Sequence, residues 1–180
     1  MFPCLVLLLL PAALPVQESR REIVNHAASP AEDAKANSES VPDVYAINGR
    51  FERIVTLRFK FDTDLLAGLQ KMVRQEKIRH AVILAGAGSV RGYHIHQVSN
   101  RVFPSKNVYV KDPIAQADLI GMNGYVIDGK VHAHVTLATP ERAFGGHLEP
   151  GTPVFTFAIV TVGVLNDGAD LSRADDKTYR

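Results

Sequence analysis

The sequence predicts an α+β domain, a largely antiparallel β-sheet packed on one main α-helix. Three observations point there. Helical periodicity occurs in one stretch, residues 65–73, and strand-like runs follow it with no second helix between them. Asp128-Gly129, lying between two such runs, is a strong signal for a two-residue hairpin turn. A chain of 180 residues with 46% hydrophobic and 22% charged content has the composition of an ordinary globular domain, so one sizeable core is expected.

The first element is a strand over residues 54–61, where Ile54, Thr56, Arg58 and Lys60 alternate with Val55, Leu57, Phe59 and Phe61. Asp62-Thr63-Asp64 supplies N-cap candidates for the helix that follows. Its core face carries Leu65, Leu66, Leu69, Met72 and Val73. Residues 81–84 form a short, fully apolar run, the pattern of a strand covered on both faces, and it breaks at Gly86-Ala87-Gly88. Strands are then expected within 89–98, over 107–111, 117–127 and 130–138, and in the long β-rich run 152–164.

Flanking this domain, placed at residues 44–165, are less regular segments. Residues 1–16 fit a secretory signal peptide, because the apolar run is too short to span a bilayer, although no Lys or Arg precedes it. An exported protein is the expected consequence, periplasmic or secreted, with no membrane span after cleavage; without the signal the chain is cytoplasmic. Residues 17–43 are polar and lack apolar periodicity, so they read as a disordered linker in which His26 is a solvated bystander. Residues 166–180 form a polar tail. The single Cys4 excludes a disulfide framework and a cysteine-rich metal site. A net charge of +1, with basic residues scattered among acids, gives no electrostatic reason to expect nucleic acid.

The chemistry lies in Val131-His132-Ala133-His134-Val135 and, thirteen residues on, Gly145-Gly146-His147-Leu148. On a strand His132 and His134 project to the same face, roughly 6–7 Å apart at the backbone, so both rings can converge on one ion. His147, arriving from a neighbouring strand, completes a three-imidazole set with a position left open for water or a ligand. Gly145-Gly146 is a costly sequence unless backbones approach closely there. A zinc ion so held lowers the pKa of a bound water toward about 7, which suits hydrolysis or hydration. Glu149 is the weak candidate for a general base and Glu141 a weaker one. Neutral imidazoles must compete with protons, so metal affinity should fall below about pH 6 and the metal should be stripped by about pH 5 with the sheet still folded.

Other candidates weigh less. Gly86-Ala87-Gly88 lacks the following helix that a dinucleotide turn needs and has the wrong spacing to Gly92, so no nucleotide cofactor is expected; a tight turn or close packing explains it. His94 and His96 repeat the i, i+2 pattern, but the simpler reading is a solvent or subunit-contact face behind Tyr93 and Ile95. His80 reads as a strand-entry residue. No serine stands in a nucleophile elbow. The cupin metal pattern also starts from H-x-H, but its later motif is missing here.

Taken together, residues 57–66, Gly86-Ala87-Gly88-Ser89-Val90, Ile120-Gly121-Met122-Asn123-Gly124-Tyr125-Val126, His132-x-His134 and Gly145-Gly146-His147-Leu148 resemble the PPC domain (plants and prokaryotes conserved domain) across about residues 54–165. The resemblance implies an antiparallel-rich sheet on one long helix, a homotrimer, and a metal, foremost zinc, at His132, His134 and His147. Plant relatives contact DNA through a separate AT-hook, and this chain contains no such segment.

Three functional readings follow, with catalysis left open. The first is a metal-binding trimer acting on or holding a small-molecule ligand. The second is a non-enzymatic scaffold, because Val154, Phe155, Phe157, Ile159 and Val160 offer more apolar surface than one sheet face needs. DNA binding comes third and is disfavoured.

Overall fold

The computed structural model describes residues 20–25, 42–102 and 105–175. The signal-peptide reading of residues 1–16 and the assignment of His26 lie outside the described residues. The elements are β1 (Arg20–Asn25), β2 (Phe51–Lys60), α1 (Leu65–Gln75), β3 (Ala81–Val90), β4 (Tyr93–Val98), β5 (Lys106–Asp112), β6 (Ala117–Ile127), β7 (Lys130–Ala138), β8 (Ala143–Leu148), β9 (Val154–Leu165) and a final 3₁₀ turn, Ser172–Asp175. The nine strands among the described residues belong to one sheet, in the order β1-β5-β4-β8-β7-β6-β3-β9-β2, and their pairings are antiparallel.

Alternation decides which way the sheet faces. On β7 Ala133, Val135 and Leu137 are buried while His132, His134 and Thr136 point outward. The buried set meets α1, whose Leu65, Leu66, Leu69 and Val73 form one apolar stripe. Helix α1 touches both β7 and β2, which have three strands between them in the sheet order, so the sheet curls around it. The inner face of β7 therefore joins the apolar core, and its outer face carries the histidines.

Local chemistry explains the ends of the elements. Asp64 caps α1, its Oδ1 accepting from the Ala67 N–H at 2.8 Å. Its Oδ2 accepts from the Gly151 and Thr152 N–H groups at 2.7 and 2.9 Å, which ties the helix start to the loop before β9. The β6–β7 hairpin turns on Asp128 and Gly129, with φ of 48° and 73°, the pair of positive φ values that a type I′ turn requires.

Several expectations need correction. Strand β3 does not break at the glycines but runs through Gly86-Ala87-Gly88 to Val90. Here the close-packing alternative applies, since a Cβ on Gly86 would collide with the Met122 side chain of β6. Nor is β3 covered on both faces: Leu84 is 43% exposed. Within the segment read as a disordered linker, Arg20–Asn25 forms β1 and pairs with β5. An edge strand needs backbone hydrogen bonds more than an apolar face, so a polar sequence can supply one. In the segment read as a polar tail, Ala169 and Leu171 are buried, and Asp170 places a carboxylate oxygen 3.3 Å from Nε2 of the buried His80.

Candidate metal centre

Strand β8 is short, and its position determines the site. It lies between β7 and β4, with His147 directly opposite His134 on one side and His96 on the other. Such proximity depends on Gly145 and Gly146. A Cβ on Gly145 would run into the Val135 carbonyl oxygen, and one on Gly146 into that of His96. Any side chain there would push β8 away from a neighbour, and His147 would leave the row.

The result is a row of imidazoles across three strands, His96–His147–His134, with His132 diagonal to His147. Ring centroids are 4.5 Å apart for His96 and His147, 5.2 Å for His134 and His147, and 4.8 Å for His132 and His147. Nε2 of His132 and Nε2 of His134 stand 3.3 Å apart. One nitrogen from each of His132, His134 and His147 lies within 4.8 Å of the others. The structure thus brings together the three residues singled out in the sequence.

Electrostatics favour lone-pair donors. Burial, then the neighbouring His96 and His132, push the His147 pKa down to about 4, against the smaller opposing pull of Glu149. His134 is lowered as well, by burial first and then by His132 and His96. Three imidazole nitrogens brought this close suit a borderline divalent cation such as zinc. The donor set fits that ion.

His96 and Glu149 complete the surroundings. Glu149 follows β8 and does share its outer face, because its N–H still donates to the His94 carbonyl at 3.0 Å. Its Oε1 lies 2.6 Å from His96 Nδ1. His96, assigned to a bland strand face from its sequence, therefore belongs to the cluster. The missing signal was the pairing of β4 with β8, which no local pattern encodes. His94 stays apart, its Nδ1 2.8 Å from the Pro150 carbonyl oxygen. Glu141 accepts from Thr139 Oγ1 at 2.8 Å in the β7–β8 turn and takes no part in the cluster. A groove of about 500 Å³ opens over the histidines, with Gln97, Val98, Ser105 and Asn107 among its walls.

Solved structures share this fold. A metal-containing protein from Archaeoglobus fulgidus superposes with a TM-score of 0.59 at 21% identity, covering 71% of this chain and 88% of that one. A plant- and prokaryote-conserved (PPC) protein from Pyrococcus horikoshii gives 0.57 at 26% identity, over 68% and 85%. Among curated relatives, the bifunctional protein GlmU of a Synechococcus strain is 25% identical over 111 residues, 61% of this chain and 17% of that protein. The chain thus spans less than a fifth of the length of the curated relatives it matches. The model of the Plants and Prokaryotes Conserved (PCC) domain matches residues 46–166, and the chain belongs to that family.

Proposed function

We propose that this protein binds a divalent metal ion, foremost zinc, through His132, His134 and His147, and presents it to a small ligand in the groove above. The single observation that carries the reading is the convergence of three imidazoles from two adjacent strands. The metal-containing description of the Archaeoglobus fulgidus neighbour is in keeping with it. When bound, such an ion supplies a Lewis acid with an open position. His96, in contact with Glu149, lines the groove beside the three histidines. Metal analysis of protein purified without a histidine tag, beside His132→Ala, tests the reading: the variant should carry less metal per chain than wild type. Equal content in both would refute it.

A second reading, as a trimeric scaffold, is compatible with the first and rests on the outer face. Phe155, Phe157 and Ile159 of β9, Leu84 of β3 and Ile120 of β6, on three successive strands of the sheet, are all exposed. An apolar patch of this kind on an antiparallel sheet fits burial against further copies of the chain. Light scattering should give three times the chain mass, and Phe157→Glu should lower it. A wild-type monomer at micromolar concentration would remove this reading. DNA binding gains nothing from the residues: a Bacteroides thetaiotaomicron neighbour named as a candidate DNA-binding protein shares 14% identity, which shows the fold alone.

A further inference from the structure

The row of imidazoles does not end at His147, and its far side has a different chemistry. There, His96, His147 and Glu149 bring two nitrogens and one carboxylate oxygen within 4.8 Å of one another. We propose that this is a second divalent-cation site, so that each chain holds two ions with His147 between them. The proposal rests on the three-histidine reading for the first ion.

Placement makes the sharing feasible. His147 has a direct cross-strand partner on each side, His134 on β7 and His96 on β4. An imidazole ring carries nitrogens on two edges, so one ring can serve two ions. The ions displace any protons standing on the ring nitrogens they take, and those leave to solvent as H⁺. The two sites differ in hardness: three imidazoles on one side, two imidazoles and a carboxylate on the other. The second set is the two-histidine, one-carboxylate pattern that binds first-row divalent ions with coordination positions left open.

The alternative is a plain hydrogen-bonded His–Glu pair. It accounts for the 2.6 Å contact of His96 Nδ1 with Glu149 Oε1. It leaves out the second imidazole, His147, whose ring centroid lies 4.5 Å from that of His96 and whose nitrogen falls within the same 4.8 Å set. Tyr109, 4.8 Å from the His96 ring, flanks it as well.

The test is stoichiometry. Zn²⁺ is titrated calorimetrically into metal-free full-length protein, and bound zinc per chain is counted after dialysis, with circular dichroism confirming the fold of each variant. Wild type should bind two ions. His96→Ala and Glu149→Gln should each bind one, His132→Ala one, and His147→Ala none. His94→Ala, on the same strand but outside both sets, should bind two. One ion in wild type, unchanged by His96→Ala and Glu149→Gln, overturns the second site. One ion in wild type, lost in His96→Ala and kept in His132→Ala, supports this site and refutes the three-histidine one.

Discussion

Strands β4 and β7 carry the same short pattern, with different outcomes. In Tyr93-His94-Ile95-His96 and in Val131-His132-Ala133-His134, the residue between the two histidines is buried and both histidines face outward. On β7 both rings converge with His147. On β4 only His96 reaches the cluster, while His94 turns to the Pro150 carbonyl. The difference lies in what runs alongside. β8 pairs with β7 from His134 through Ala138, but with β4 only at Ile95 and His96; opposite His94 the strand has ended, and the His94 carbonyl accepts the Glu149 N–H where the chain turns toward Pro150. A ligand pattern on a strand becomes a site only where the neighbouring strand supplies the remaining donors.

The sharpest way to separate framework from chemistry is to cut the inner face of β7 behind its histidines. Leu137 is fully buried, and Leu137→Ala should cost about 2–5 kcal/mol, read from the urea midpoint. Metal content at saturation should not change, because His132 and His134 face the other way. A lost ion in a folded Leu137→Ala protein would mean that the two faces are not independent.

Next in size is the contrast between the strands themselves. His134→Ala should weaken zinc binding on the order of 100-fold or more, since it removes a direct ligand. His94→Ala should change zinc affinity by less than about threefold, a few tenths of a kcal/mol. Competition with a chromogenic chelator measures both. Equal losses would erase the distinction drawn between the two patterns.

Acid tests the cluster as a whole. His147 is held near 4 and His134 is lowered, whereas in the unfolded chain an imidazole takes a proton near pH 6.5. Between those values the unfolded chain binds more protons than the metal-free folded chain. Stability should therefore fall as the pH is lowered from about 6.5 to about 4 and level off below. Urea midpoints of chelator-treated protein give the profile, and a flat line from pH 7 to 4 would contradict the depressed His147. The same depression moves the onset of metal loss down from the pH 6 expected of unperturbed histidines toward pH 5.

The smallest effect belongs to the other acidic candidate. Glu141→Ala removes a turn hydrogen bond to Thr139 and should leave zinc affinity unchanged, with stability shifted by about 0.5 kcal/mol or less. A tenfold loss of zinc affinity would bring Glu141 back into the site.

Legibility in the sequence followed the range of the interaction. The helix, its Asp64 cap, the Asp128-Gly129 turn and the bounds of β6 and β7 are written in neighbouring residues, and the alternation of β7 announced two ligands. His147 was legible because two glycines have little reason to precede a strand histidine unless backbones crowd. His96 was not, since its role arises from β4 lying beside β8, some fifty residues away in the chain. For β1 the obstacle was different: a strand that only extends an edge carries no apolar alternation to detect.

The position of β9 has a consequence for how the molecule is made. It is the last of the described strands, yet in the sheet it lies between β3 and β2, two of the earliest. During synthesis β2 and β3 emerge with the gap between them unfilled, and it stays open until residues 154–165 have left the ribosome. The keystone arrives last. Such long-range closure slows folding and leaves open strand edges exposed to other chains, so a nascent chain stalled before residue 154 is a candidate for chaperone capture and a finished one is not.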